Sequence, residues 1–176
     1  MRFLPVLALF AFACTTESTD SGSGTLDPSN NGSNDCSGTA PVIDNFEASD
    51  QGQTATDSDS GKTYPVIDLM IEYSDDDGDA HVISTDVWWD DVIDGTVDVT
   101  KNPDTSTAPQ ALKDNDGNTV EECAGSGGTL DLGLMVAGGG LEYETTYDFA
   151  VIVYDNAKMA SEPAFASGLT PAELPQ

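Results

Sequence analysis

The sequence predicts an all-β fold: a single antiparallel β-sandwich preceded by an apolar leader and a disordered linker. From residue 40 onward, apolar residues alternate with polar ones at a period of two, and turn residues separate the alternating runs. No run has the 3.6-residue period of an amphipathic helix. Composition separates the first two segments, because the leader is almost entirely apolar and the linker almost entirely polar.

Three segments alternate most clearly, and we expect each to be a strand with one buried face: 67–73, 130–136 and 147–153. In the first segment, Ile67 and Leu69 flank Asp68, which should face solvent. Four weaker segments are also expected to be strands: 42–48, 81–89, 95–100 and 159–167. Six to eight strands in one domain predict two packed sheets.

Charge limits the classes of partner. The chain has 176 residues, of which 32 are acidic and 5 are Lys or Arg, for a net charge of −27. Such a surface repels phosphate backbones, so we expect no nucleic-acid partner. It also repels anionic membrane surfaces, so membrane attachment must be covalent or go through another protein. High acidity suits divalent cations, a saline habitat or plain solubility.

Residues 1–13 have the features of a signal peptide. Arg2 is followed by an apolar run from Phe3 to Ala13, which is too short for a membrane-spanning helix of roughly 20 residues. The run stops at Cys14 and the sequence then turns polar. This boundary resembles the bacterial lipobox, whose cysteine is lipidated and becomes the new N-terminus. The resemblance implies a lipid anchor at Cys14, strong enough to hold the chain on a membrane.

Two features bear on how the exported chain is processed and where it is located. Ala11 and Ala13 also fit the ordinary signal peptidase, which would cut after Ala13 without lipidation. Thr15, rather than Asp, follows the cysteine. By resemblance to Gram-negative lipoproteins, this favours the outer membrane and the cell surface.

Residues 14–39 should form a flexible linker, since Ser, Thr, Gly, Asn and Asp dominate and cannot bury enough surface to fold. If Cys14 carries lipid, Cys36 and Cys123 remain. An even pair of cysteines in an exported protein predicts a disulfide between them. Two free thiols are the alternative.

Residues 141–147, Leu-Glu-Tyr-Glu-Thr-Thr-Tyr, resemble the corner of fibronectin type III domains, Leu-x-x-x-Thr-x-Tyr. The segment 151–157 resembles the closing hairpin of bacterial Ig-like domains, and 41–46 resembles their opening strand. The resemblance implies an Ig-like sandwich over residues 40–172, with 173–176 as a tail. It also implies that Tyr147 bonds back to the chain at the corner. The pair Trp88-Trp89 fits the core tryptophan that Ig domains carry on their third strand.

The sharpest candidate site is the acidic loop of residues 75–79. Asp75, Asp77 and Asp79 alternate there, and Gly78 permits a tight turn. Ca²⁺ takes six to eight oxygen ligands, so this pattern predicts a calcium site. It resembles the Asp-x-Asp-Gly-Asp turns of Ca²⁺-binding extracellular repeats. In an Ig-like sandwich the last hairpin shares a pole with this loop, which implies that Asp155 or Asn156 is a further ligand.

The alternative for this loop is a solvated acidic turn without a metal. A second acidic stretch at 114–118 is a weaker candidate of the same kind, because Asn and Asp before Gly are ordinary turn residues.

We expect no enzyme activity. His81 is the only histidine, no Gly-x-Ser-x-Gly elbow occurs, and Cys36 and Cys123 are expected to pair. The leading hypothesis is a lipid-anchored binding or adhesion module for an unidentified protein or glycan partner. A structural spacer subunit of an envelope assembly is the alternative.

Overall fold

The computed structural model describes residues 38–111, 118–119, 127–137 and 140–175, together with the backbone of 11–14. These residues form ten strands: β1 Ala11–Cys14, β2 Val42–Ser49, β3 Thr54–Thr56, β4 Thr63–Ser74, β5 Val82–Asp90, β6 Thr105–Ser106, β7 Gln110–Ala111, β8 Gly127–Met135, β9 Thr146–Tyr154 and β10 Ala164–Leu169. In the described part of the chain, no helix is long and apolar enough to cross a membrane.

The strands form two sheets in which every pair is antiparallel. The first sheet has the order β1-β8-β4-β2, and β3 pairs with the beginning of β4. The second has the order β10-β9-β5-β6, and β7 pairs with the beginning of β5. One apolar core contains residues from both sheets, so the sheets pack face to face. This confirms the predicted all-β sandwich.

The core is built from the alternating residues of β4, β8 and β9. Ile67, Leu69 and Ile71 of β4 are fully buried, as are Leu132 of β8 and Phe149 of β9. Burying each side chain of this size contributes roughly 1.5–3 kcal/mol relative to leaving it exposed. The period-two pattern therefore identifies the core face of all three strands correctly. It is wrong for Asp68 of β4 and Asp148 of β9, which lie on the opposite face and are also buried.

The corner before β9 has the hydrogen bond that its resemblance to the fibronectin type III corner implies. The hydroxyl of Tyr147 accepts the backbone N–H of Glu142 at 3.0 Å. Beside it, the backbone N–H of Thr145 donates to the hydroxyl of Thr170 at 2.9 Å, and that hydroxyl donates to the carbonyl of Glu142 at 2.6 Å. Leu141 is buried beneath the turn. These contacts fix the entry of β9 and attach the C-terminal end of the domain to it.

The predicted strand at 95–100 is absent. Val97 and Val99 instead pack against Trp88 as part of the loop that follows β5. The indole N–H of Trp88 donates to the carbonyl of Lys101 at 3.0 Å, which closes this loop. The alternation of valines was misleading because these side chains form a second small cluster without pairing in a sheet.

The two tryptophans lie on opposite faces of β5. Trp88 is buried in the second cluster with Val97 and Ala150, outside the space between the sheets. Trp89 is half-buried and packs against the main core. The expected core tryptophan is therefore Trp89, and it fills only the margin of the core.

The last strand begins later than predicted. The pattern placed it at 159–167, whereas β10 is Ala164–Leu169. Pro163 precedes β10 and has no N–H to donate to a strand ladder. Before Pro163, Ala160 forms an isolated bridge with Tyr154. The strand is therefore displaced toward the C-terminus.

Candidate metal centre

Two loops meet at the pole of the sandwich where β4 and β9 end. Asp75 directly follows β4, and Asp79 lies three residues before β5. Asp155 directly follows β9, which pairs with β5. The backbone N–H of Asn156 lies 3.4 Å from the carbonyl of Asp79, so the two loops are in contact. The sandwich topology thus brings together acidic residues that are far apart in sequence.

Asp75, Asp79 and Asp155 form one cluster, here called the acidic cluster. Each offers a carboxylate oxygen, and these oxygens all lie within 4.8 Å of one another. The three residues are 4%, 1% and 4% exposed, respectively. Two oxygens on opposite sides of a Ca²⁺ ion, each roughly 2.4 Å from it, are about 4.8 Å apart. The spacing of the cluster therefore fits a single cation.

Most carboxylate oxygens of the acidic cluster have no hydrogen-bond partner. These are Oδ2 of Asp75, both oxygens of Asp79 and Oδ2 of Asp155. Oδ1 of Asp155 accepts the backbone N–H of Met159 at 2.8 Å, and Oδ1 of Asp75 accepts that of Asp77 at 3.1 Å. Buried carboxylates without partners are costly, so this arrangement favours a positive charge between them.

Protein cations do not supply that charge among the described residues. The ion pair in this part of the chain joins Lys101 to Asp98, and both side chains are exposed. Neither residue belongs to the acidic cluster. The negative charge at the pole is thus balanced either by protons or by a cation from solution.

Burial shifts the pKa values of the acidic cluster upward. Desolvation, together with the charges of Asp155 and Asp77, raises the pKa of Asp79 to about 7. Desolvation also raises the pKa of Asp75 and of Asp155. Without a cation, the cluster retains protons at a pH where ordinary carboxylates are ionised.

Asp77, which the sequence also predicts as a ligand, lies outside the acidic cluster. Its Oδ2 accepts the backbone N–H groups of Gly38 and Thr39, both at 2.5 Å, and its Oδ1 accepts that of Asp79 at 3.3 Å. Desolvation raises the pKa of Asp77, but these hydrogen bonds and those with neighbouring side chains outweigh it and hold the pKa below its usual range. Asp77 therefore attaches the chain at Gly38 and Thr39 to the acidic loop.

Two polar atoms beside the loop have no partner either, and the sequence did not draw attention to them. They are the hydroxyl of Tyr73 and Nδ1 of His81, both buried. Desolvation raises the pKa of Tyr73, and the charge of Asp75 adds to this. Alternation along β4 already placed Tyr73 on the buried face, and a buried hydroxyl needs a partner. The need of this buried hydroxyl for a partner was the feature of the sequence that could have identified Tyr73.

The structure describes the side chain of none of the three cysteines. Cys14 ends β1, which pairs with β8, but only its backbone is described. Cys36 and Cys123 lie outside the described residues, as does most of the second acidic stretch at 114–118. Lipidation of Cys14 and the disulfide stay predictions.

Comparison with known proteins gives no further guide to the site. The chain matches no family model, no curated protein and no solved structure. The function is therefore inferred from the residues and their geometry.

Proposed function

We propose that this chain is an exported, lipid-anchored surface protein whose β-sandwich is a non-enzymatic binding module stabilised by Ca²⁺ at the acidic cluster. One observation supports the cation site: Asp75, Asp79 and Asp155 are buried close together, and four of their carboxylate oxygens have no hydrogen-bond partner. Folding brings these carboxylates together, whereas the unfolded chain separates them. A cation that binds only the folded state therefore stabilises it.

Ca²⁺ is the cation that this donor set favours. Among the described residues, every ligand in the acidic cluster is a carboxylate oxygen, and His81 is not part of the group. Hard oxygen ligands suit Ca²⁺ and Mg²⁺, whereas zinc and copper favour nitrogen and sulfur. Mg²⁺ requires near-ideal octahedral geometry and retains several waters, so buried carboxylates from two loops fit the more adaptable Ca²⁺ better.

Calorimetric titration of the whole chain with Ca²⁺ tests the proposed site. We expect one site per chain that is lost in Asp79→Asn, since Asp79 is the most buried ligand of the three. Asp76→Asn is the matched control, because Asp76 is exposed in the same loop and lies outside the acidic cluster. Equal binding by wild type and Asp79→Asn would exclude this site.

An Ig-like or fibronectin type III-like identity is part of the proposal. It is supported by the hydrogen bond between Tyr147 and Glu142, which is typical of the tyrosine corner in these domains. The two-sheet arrangement with β2, β4 and β8 facing β5, β9 and β10 also supports it.

Exposed apolar side chains favour a binding role over the spacer alternative. Val92 and Ile93 are 61% and 51% exposed on the loop after β5. Phe165 and Leu169 are 39% and 58% exposed on β10, which ends the second sheet. A spacer gains nothing from apolar groups in water, whereas a partner surface uses them. The partner in this proposal is a protein or a glycan on or outside the cell envelope.

A further inference from the structure

A cavity of about 420 Å³ lies beside the acidic cluster, between β5 and the loop that follows β9. Its size falls in the range of small-molecule sites. Val82 and Pro109 contribute apolar surface, while Ser84, Asn156 and Lys158 contribute polar groups. A wall of this mixed kind suits a ligand that has both apolar faces and hydroxyl groups.

One charged group at the cavity has its polar atoms engaged within the protein. Oδ2 of Asp86 accepts the hydroxyl of Tyr154 at 2.9 Å, and Oδ1 accepts that of Ser106 at 2.5 Å. These bonds hold the ring of Tyr154 at the cavity, where it adds to the apolar lining. Asp86 thereby positions the aromatic wall.

Charge argues for a neutral ligand. The net charge of −27 repels anions from the domain as a whole. Two carboxylates also line the cavity, but both oxygens of Asp86 are engaged by Tyr154 and Ser106, and Asp155 belongs to the acidic cluster. Lys158 therefore remains to oppose a cationic group at close range. A neutral molecule with several hydroxyl groups avoids both penalties and can bond to the polar side chains on the cavity wall.

The cavity and the acidic cluster share Asp155. The turn after Asp155 is closed by bonds to that residue: the backbone N–H of Lys158 donates to its carbonyl at 3.1 Å, and that of Met159 donates to its Oδ1 at 2.8 Å. Asn156 contacts Asp79 at the other side of the turn. A cation held by Asp79 and Asp155 would therefore order the turn that forms one wall of the cavity.

We propose that this cavity binds a neutral saccharide unit and that a cation at the acidic cluster strengthens this binding by ordering residues 155–158. The inference rests on the proposed cation site and adds a ligand class to it. It assigns the aromatic wall to Tyr154 and the hydrogen-bonding edge to Ser84, Asn156 and Lys158.

Saturation-transfer NMR on the whole chain tests this inference. The probes are glucose, galactose, mannose and N-acetylglucosamine, with glucuronate and glucosamine as the acidic and basic counterparts. We expect a signal from at least one neutral sugar in Ca²⁺, with affinity about five- to tenfold weaker in chelator. Ser84→Trp should abolish the signal by filling the cavity, whereas Ser58→Trp, at an exposed turn residue outside the lining, should retain it.

Asn156→Ala provides a second variant that preserves the fold, because Asn156 is exposed. It should weaken sugar binding. The inference is overturned if no neutral sugar gives a signal, if a charged counterpart binds better, if affinity is the same with and without Ca²⁺, or if neither cavity variant alters binding. Thermal melting in Ca²⁺ without sugar tests the cation site separately. If Ca²⁺ raises Tm as expected but no sugar binds, the saccharide site is rejected and the cation site is retained.

Discussion

The carboxylate of Asp77 accepts the backbone N–H of Thr39 at 2.5 Å, across 38 positions of the sequence. The same oxygen accepts the N–H of Gly38. The acidic loop therefore holds the chain at the point where the linker is expected to meet the sandwich. Asp77 contributes to this junction, while the acidic cluster beside it is formed by other residues.

Asp77→Ala should loosen this junction. It removes the acceptor of two backbone N–H groups, and the free energy of unfolding should fall only modestly, because these groups are near solvent and can bond to water instead. Limited proteolysis should cut faster around residues 38–40. Asp76→Ala, which alters an exposed neighbour, is the control. Identical cleavage rates in both variants would contradict this role.

Asp68 should make stability depend on pH. It is 1% exposed, and desolvation raises its pKa to about 6. Between pH 4 and 6 the folded protein then binds more protons at Asp68 than the unfolded chain does. The free energy of unfolding therefore falls as pH rises through this range, by on the order of 2 kcal/mol for this group.

Chemical unfolding of wild type and Asp68→Asn at several pH values between 4 and 8 measures this effect. Asparagine keeps the shape but does not titrate, so the difference between the two proteins isolates Asp68 from the other acids. Wild type should lose stability relative to the variant as pH rises. Parallel pH profiles would show that Asp68 titrates normally.

Tyr147→Phe should destabilise the domain without changing cation binding. The substitution leaves the N–H of Glu142 without its acceptor, which costs about 1–2 kcal/mol when the group is partly buried. Tyr64→Phe, at a half-buried position on β4, is the matched control. If both variants unfold at the same urea concentration, the hydrogen bond of Tyr147 does not contribute to the stability of the domain.

Cys14 should carry the lipid anchor. Growth of the native host with a palmitate analogue should label wild type and not Cys14→Ala, because the apolar leader ends at this residue. Cys36→Ala should be labelled like wild type. Labelling of Cys14→Ala at the wild-type level would refute lipidation at this position.

The alternating pattern predicts the core well and the polar faces less well. It correctly identifies Phe149 and its neighbours as buried, yet it places Asp148 in solvent. Asp148 is 1% exposed because its Oδ2 accepts the N–H groups of Asp94 and Gly95 at 2.9 and 2.6 Å. A loop that covers the outer face of a sheet has no signature in the strand itself.

The residues of the candidate site were also only partly predictable from the sequence. The acidic loop drew attention to Asp75 and Asp79, and the Ig-like resemblance added Asp155; all three meet in the structure. Asp77 has the same spacing but accepts bonds from Gly38 and Thr39. Spacing along a loop does not tell which carboxylates turn inward, because that depends on backbone donors supplied by distant segments.

The central claim, that a cation occupies the acidic cluster, is tested most directly by thermal melting of the whole chain in Ca²⁺, in Mg²⁺ at equal ionic strength and in chelator. At about 1 mM Ca²⁺ and a Kd of about 10⁻⁴ M, binding adds about 1.4 kcal/mol, or a rise of about 5 °C in Tm. The rise should persist in Asp76→Asn and vanish in Asp79→Asn and Asp155→Asn. A Tm that is the same in Ca²⁺ and chelator, or a rise that survives loss of either buried ligand, would contradict the claim.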